Sequence, residues 1–143
     1  MREALAAAAE AAAAGDVPVG AVVIRDGAVL ARASNRTVRD QDSTAHAELL
    51  AIREASRLLG RWRLEDCTLV VTLEPCAMCA GAVVLSRLGR LVFGAWDEKA
   101  GMAGSVGDIV RHPRLNHRPE VLAGVMAEEC GELLAEFFRD RRS

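Results

Sequence analysis

The chain has 143 residues, of which 51% are hydrophobic and 27% charged, so a single domain spanning 1–143 is expected to form a core without disulfides. No apolar run is long enough for a membrane span, and the run 6–14 lacks the features of a signal peptide, so we expect a cytoplasmic protein. The net charge of −2 gives no support for nucleic-acid binding by the chain as a whole, although arginines cluster at 111–118 and 139–142.

The predicted elements follow from hydrophobic periodicity, β-branched runs and turn residues. In chain order they are a helix at 3–14, strands at 19–24 and 28–33, a helix at 44–59, a strand at 67–73, a helix at 76–87, a strand at 91–93, a short helix near 107–112, a strand near 120–125 and a final helix at 126–141.

Glycine and proline mark several of these boundaries. Gly15 and Gly60 are natural stops for the first two helices, and Asp26-Gly27 is a turn signal that predicts a hairpin between the first two strands. Pro75 suits the first turn of a helix. Helices that alternate with short buried strands favour one α/β layered domain around a central sheet.

One histidine and two of the four cysteines form a candidate metal site. Cys76 and Cys79 make a Cys-x-x-Cys pair, which in a chain without an export signal is more often metal-binding or redox-active than a structural disulfide. Both lie at the start of a predicted helix, where the helix dipole favours thiolates. Together with His46 they offer three ligands and leave the fourth tetrahedral position of Zn²⁺ open, as is typical of a catalytic zinc.

Glu48 follows His46 by two residues, and its position needs an explanation. It does not complete a capping box, because neither Ser43 nor Thr44 lies three residues before it. A carboxylate this close to a zinc ligand is better interpreted as a base that handles the protons of a metal-activated water.

Each motif has another interpretation when it is taken alone. The cysteine pair could be redox-active, although a proline replaces the lead-in expected of a thioredoxin-like site. A lone helical histidine is usually structural or on the surface. The two motifs together, with a buried strand before Pro75, favour the metal site. Cys67 and Cys130 are interpreted as packing residues.

His-x-Glu followed by Pro-Cys-x-x-Cys resembles the signature of the zinc deaminases that act on nucleobases. Longer segments are similar to the tRNA-specific adenosine deaminases, which convert wobble adenosine to inosine. These segments are DVPVGAVVI (16–24), TAHAELLAIR (44–53), VTLEPCAMCAGAVVLSRLGRLVFGAWDEKAGMAGS (71–105) and HPRLNHRPEV (112–121), and the similarity extends to the terminal ECGELLAEFFRDRR.

The resemblance implies a three-layer α/β/α cytidine-deaminase-like fold with a central five-stranded mixed sheet. It implies one Zn²⁺ per chain, held by His46, Cys76 and Cys79, with Glu48 as the catalytic proton shuttle. It also implies a homodimer whose two chains together build each site for the anticodon loop of tRNA. The substrate-binding residues that it implies are Val17, Asn35 and Ala47 at the adenine, Asp97, Lys99 and Ser105 near the anticodon-loop backbone, and Phe138 and Arg142 facing the RNA.

Trp96 departs from the family pattern, because a polar or basic residue is expected at this position. We hypothesise that Trp96 supplies a stacking surface for a base splayed out of the loop.

Three functions remain open at this point. The first is deamination of wobble adenosine in tRNA. The second is deamination of a free base, nucleoside or nucleotide of the guanine or cytosine type on the same zinc site. The third is a non-catalytic subunit or RNA-binding module that keeps zinc only for structure. Glu48 argues against the third, because a structural zinc has no use for a base. The arginine-bearing C-terminal helix and the loop from Asp97 to Ser105 favour the first over the second.

Overall fold

The computed structural model describes residues 1–142, and for Arg142 it describes the backbone only. Four helices and five strands are present in this part of the chain. In chain order they are α1 (Arg2–Ala13), β1 (Gly20–Arg25), β2 (Ala28–Ser34), α2 (Ala47–Leu59), β3 (Cys67–Leu73), α3 (Ala77–Leu85), β4 (Arg90–Ala95), β5 (Glu120–Leu122) and α4 (Ala127–Arg142).

The five strands form one mixed sheet in the order β2-β1-β3-β4-β5. β1 is antiparallel to β2 and to β3, whereas β3 and β4 are parallel, as are β4 and β5. The hairpin between β1 and β2 turns at Asp26 and Gly27, whose φ angles of 51° and 76° are those of a type I′ turn. The predicted hairpin is therefore confirmed.

Helices cover both faces of the sheet, because successive strand residues point to opposite sides. On one face Val71 and Phe93 join a core cluster with residues of α2 and α3, such as Ala51 and Val83. On the other face a smaller cluster forms beneath α1, and it contains Ala4, Val22, Val70 and Val92. α4 packs on this second side against β4 and α1. These layers confirm the predicted three-layer α/β/α fold and its five-stranded mixed sheet.

The parallel pairing of β3 and β4 brings functional segments to one edge of the sheet. Leu73 at the end of β3 is paired with Ala95 at the end of β4. The chain that follows each strand therefore leaves the sheet at the same place. One segment continues into the cysteine pair, and the other continues into Asp97.

The short helix predicted near 107–112 does not form, and this prediction was wrong. Within the segment the His112 N–H donates to the Ile109 carbonyl at 3.4 Å, a single turn that is not continued, and other backbone bonds of the segment run to residues 102–104. The Ile109 N–H donates to the Met102 carbonyl at 2.9 Å, and Ala103 forms an isolated antiparallel bridge with Asp108. None of the helices in residues 1–142 has the length and apolar character that a membrane span needs.

Candidate metal centre and substrate pocket

His46, Cys76 and Cys79 come together although 30 residues separate the histidine from the first cysteine. Nδ1 of His46 lies 3.6 Å from Sγ of Cys76 and 3.5 Å from Sγ of Cys79. The three ligand atoms all lie within 4.8 Å of one another. One imidazole and two thiols at this spacing could hold a metal ion.

Two helix N-termini build this cluster. His46 is the N-cap residue of α2, and its backbone is extended, with φ −77° and ψ 146°, so the helix begins at the residue directly after this predicted ligand. Cys76 is likewise the N-cap residue of α3, and Cys79 follows in the first turn. The predicted helices at 44–59 and 76–87 include His46 and Cys76, whereas in the structure each of these residues immediately precedes its helix. The two N-termini therefore face the same point, where their dipoles favour anionic sulfur.

The electrostatics of the pair favour a thiolate at Cys76. Hydrogen bonds from Cys79 and then from His46 lower the pKa of Cys76 to about 3. The hydrogen bond with Cys76 and burial together raise the pKa of Cys79. A thiolate is the form in which cysteine binds a metal, so the lowered pKa of Cys76 favours metal binding at this cluster.

Glu48 is buried beside the cluster, with a side chain that is 4% exposed. Burial raises the pKa of Glu48 to about 6, against the opposing charge of His46. Glu48 is the second residue of α2, and α2 has no side-chain cap hydrogen bond. The structure therefore agrees that Glu48 is not a capping residue, and a buried carboxyl near neutral pKa suits proton transfer.

A pocket of about 260 Å³ opens onto the His46–Cys76–Cys79 cluster. Four of the predicted substrate-binding residues line it, namely Val17, Asn35, Ala47 and Asp97. The other residues that line it are Val19, Thr37, His46, Glu48, Leu73, Glu74, Cys76 and Ala100.

Asn35 is held in a fixed orientation at the wall of this pocket. Its Nδ2 donates to the carbonyl oxygen of Val17 at 3.2 Å, and its Oδ1 accepts from the Thr37 N–H at 3.3 Å. An amide can make four hydrogen bonds, so one donor and one acceptor position are still available for a ligand.

Three of the other predicted contact residues, Lys99, Ser105 and Phe138, do not line the pocket. Lys99 is exposed, and its N–H donates to Asp97 Oδ1 at 3.1 Å. The hydroxyl of Ser105 donates to the carboxylate of Glu74. Phe138 is exposed on α4, where it makes an edge-to-face contact with Phe137. The side chain of Arg142 lies outside the described residues.

Two buried carboxylates near the pocket were missed in the sequence. Asp16 directly precedes Val17 and pairs with Arg39 at 2.6 Å. Glu74 directly follows β3 and lines the pocket. The sequence carries no distinctive signal for either residue, because an acidic residue near a strand is ordinarily solvated and the partners of these two come from distant loops.

Comparison with known proteins agrees with this geometry. The MafB19-like deaminase family matches residues 1–142. The tRNA-specific adenosine deaminase of Bacillus subtilis (strain 168) is 52% identical over 142 residues, which cover 99% of this chain and 88% of that protein. This chain belongs to the tRNA-specific adenosine deaminase family.

This chain is also similar to two solved structures. One, from work on A-to-I editing by tRNA:A34 deaminases at the wobble position of transfer RNA, is 44% identical with a TM-score of 0.90 and covers 94% of this chain and 97% of that one. A guanine deaminase from Nitrosomonas europaea is 30% identical with a TM-score of 0.78 and covers 94% of this chain and 80% of that one. The similarity is therefore greater to the tRNA deaminase than to this guanine deaminase.

Proposed function

We propose that the chain is a zinc-dependent hydrolase that converts adenosine to inosine at the wobble position of tRNA. The observation that carries the proposal is the buried Glu48 beside the His46–Cys76–Cys79 cluster, at the base of a pocket. Water adds to C6 of adenine and the exocyclic amine leaves as ammonia, so the reaction needs no redox partner.

The metal ligands would be His46, Cys76 and Cys79. One nitrogen and two sulfurs within 4.8 Å of one another are a donor set that suits zinc, and three protein ligands match a catalytic site. When bound, zinc would lower the pKa of a water molecule and stabilise the charge that develops at C6.

Glu48 would carry the protons of the reaction. It would take a proton from the attacking water and deliver it to the ring nitrogen beside C6. It would then take the proton of the hydroxyl added at C6 and pass it to the departing amine, so that the C6 carbonyl forms as ammonia leaves. Its burial at the first turn of α2 keeps the carboxyl next to both the metal ligands and the pocket. No other acidic side chain of the described residues is both in the pocket lining and within two residues of His46.

Asn35 and Val17 would recognise the adenine. Because Val17 and Thr37 already fix the amide of Asn35, its free donor and acceptor positions form a rigid polar edge. A fixed donor and acceptor can read the edge of a base without the entropy cost of ordering the side chain.

The RNA would approach over the outer rim of the pocket. Nη2 of Arg141 donates to the carbonyl oxygen of Gly15 at 2.9 Å, and Gly15 lies two residues before Val17. The end of α4, which carries Phe138, therefore lies beside the segment that forms the pocket wall. Lys99 and Trp96 are exposed on the segment that follows β4. A protein with a tRNA substrate would act in the cytoplasm.

An apolar surface between α2 and α3, made of Leu58, Trp62 and Leu85, would form the homodimer contact. Leu85 is 71% exposed at the end of α3. The Leu64 N–H donates to the Ser86 carbonyl at 2.8 Å, so the loop that carries Trp62 lies against that end. Sedimentation should show a dimer for the wild-type chain and a monomer for Leu85→Arg. A monomeric wild-type chain, or an undisturbed Leu85→Arg dimer, would contradict this interface.

The second candidate is a free-base deaminase, which the 30% identity to the guanine deaminase supports. One assay separates the two. The zinc-loaded protein is incubated with an arginine-type anticodon stem-loop bearing adenosine at the wobble position, and in parallel with free adenosine, guanine and cytidine. A stem-loop with guanosine at that position is the matched control. Inosine in the stem-loop alone supports the proposal, and turnover of a free base without stem-loop activity supports the alternative.

A further inference from the structure

The carboxylate of Glu74 is the centre of a hydrogen-bond cluster that the proposed chemistry does not use. Glu74 is 2% exposed. All the groups that donate hydrogen bonds to its carboxylate belong to residues 97–105, which we call the 97–105 loop. Its carboxylate accepts from the N–H of Asp97 at 3.0 Å, from the N–H of Ala103 at 3.0 Å and from the N–H of Ser105 at 2.9 Å. The hydroxyl of Ser105 is a fourth donor.

Glu74 and the 97–105 loop are closely packed against each other. A Cβ atom added at Gly101 would lie 2.2 Å from Cδ of Glu74 and 2.3 Å from its Oε1. The φ angle of Gly101 is not positive, so glycine is needed here for space rather than for backbone conformation. The loop is therefore wrapped closely around one carboxylate.

The same loop forms part of the pocket wall through Asp97 and Ala100. The loop is also hydrogen-bonded to the segment that carries the two cysteines, because the Met102 N–H donates to the Pro75 carbonyl at 2.8 Å. Pro75 lies between Glu74 and Cys76. The short segment 74–76 thus joins the His46–Cys76–Cys79 cluster to the 97–105 loop, which borders the substrate pocket.

The charge of Glu74 is what makes this junction strong. Among the described side chains, residues 1–141, no arginine or lysine forms a salt bridge with Glu74. Its burial is instead offset by hydrogen bonds from three backbone N–H groups and one hydroxyl, and such bonds to a charged acceptor are stronger than neutral ones. A neutral amide at this position would leave loop N–H groups without an adequate acceptor.

We propose that Glu74 is a positioning residue, which holds the 97–105 loop so that Asp97 and Ala100 form the wall against the bound nucleotide. The inference rests on the proposed function for its substrate. It assigns Glu74 to substrate binding, and neither to the metal nor to the proton transfers.

The principal test is Glu74→Gln, assayed on the anticodon stem-loop in the zinc-loaded form. We expect KM to rise at least about tenfold and kcat to change less than about threefold, with zinc stoichiometry unchanged. The amides of Ala103 and Ser105 should exchange with solvent at least about tenfold faster, whereas the amides of β3 keep their rates. Loss of zinc, a fall in kcat at constant KM, or unchanged exchange in the loop would overturn the proposal.

Two further variants keep the proposal testable if Glu74→Gln does not fold. Ser105→Ala removes one donor, and Gly101→Ala pushes the loop away while Glu74 stays in place. Both should raise KM in the same direction. Gly131→Ala is the matched glycine control, because open space surrounds that position in α4, and its KM should equal that of the wild type.

The two proposals fail in different ways. If the wild-type chain forms no inosine in the stem-loop, the proposed function is wrong, and loop exchange rates alone decide whether Glu74 holds the loop. If the wild type is active and none of the three variants changes KM, the proposed function stands and the role of Glu74 is wrong.

Discussion

The buried carboxylate of Asp16 lies 2.6 Å from Nε of Arg39, and this ion pair supports the wall of the pocket. Oδ1 of Asp16 also accepts from the Val38 N–H at 2.6 Å, and Nη2 of Arg39 donates to the Asn35 carbonyl at 2.7 Å. The pair thereby connects the segment before Val17 to the loop that carries Asn35.

The pair makes stability depend on pH in acid. Burial by itself would raise the pKa of Asp16, but hydrogen bonds from Arg39 and Val38 hold it below its ordinary value of 3.8. A lowered folded-state pKa gives stabilisation that is complete above the unfolded value and is lost as the pH falls through the folded value. The contribution of Asp16 should therefore begin to fall only below its ordinary pKa of 3.8, and it is lost as the pH drops further, through the lower folded-state value.

Asp16→Asn should lower the free energy of unfolding by about 1–3 kcal/mol at pH 7, because Arg39 loses its ion-pair partner and one amide oxygen cannot replace the two carboxylate oxygens that accept from Val38 and Arg39. Urea unfolding at pH 7 and at pH 3 measures this, and the difference from the wild type should shrink at the lower pH. Asp40→Asn is the control, since Asp40 pairs with Arg36 at an exposed position and should cost less than about 1 kcal/mol. Equal effects of the two substitutions at pH 7, or a difference that does not depend on pH, would contradict the assignment.

Cys79→Ala should abolish zinc binding. Cys79 is fully buried within 3.5 Å of the His46 imidazole, and its loss leaves two ligands for the metal. Metal analysis after exhaustive dialysis should find about one zinc per chain for the wild type and almost none for the variant. Cys67→Ala is the matched control, because Cys67 is a buried free cysteine in β3 and should leave the zinc content unchanged. Full zinc retention by Cys79→Ala would exclude it as a ligand.

Glu48→Gln should keep zinc and lose turnover. The amide preserves the volume of a side chain that is almost wholly buried, but it cannot take up a proton. The rate should fall at least about 10²–10⁴-fold, the usual contribution of a general acid-base group. Single-turnover inosine formation, together with zinc analysis of the same sample, checks this. Substantial residual deamination would remove Glu48 from its proposed role, as would a loss of activity that only follows a loss of zinc.

Trp96 should stack on a base of the bound RNA. It is 49% exposed, and its ring is held edge-to-face against Phe93 with centroids 5.0 Å apart. Stacking on a base is worth about 1–3 kcal/mol, so Trp96→Ala should raise KM for the stem-loop about 5- to 100-fold. Trp96→Phe should restore part of the affinity.

Fluorescence gives a second readout for Trp96. The chain has two tryptophans, so the difference between the wild type and Trp96→Phe isolates the emission of Trp96. Titration with the stem-loop should quench this emission, and free adenosine should quench it much less. Emission that stays constant while inosine still forms would show that no base stacks on Trp96.

The helices and strands could be predicted from the sequence to a greater extent than the loops. The strands, the hairpin turn at Asp26-Gly27 and the four main helices follow from local patterns, with boundaries within about three residues. The helix predicted at 107–112 is wrong, because the segment bonds to Met102 and its neighbours and makes only one turn of its own, from the His112 N–H to the Ile109 carbonyl. Local sequence does not encode such a long-range partner.

The metal site shows the same division. His46, Cys76, Cys79 and Glu48 were identifiable in the sequence because ligand chemistry restricts residue type and spacing, and the fold brings the three ligands within 4.8 Å. The carboxylates of Asp16 and Glu74 were not identifiable, since an acidic residue near a strand is ordinarily solvated. Only the tertiary structure buries them and supplies their donors, from Arg39 and from the 97–105 loop. The sequence by itself thus determined the chemical groups of the candidate centre, and the packing of distant loops around two buried charges decided the shape of its pocket.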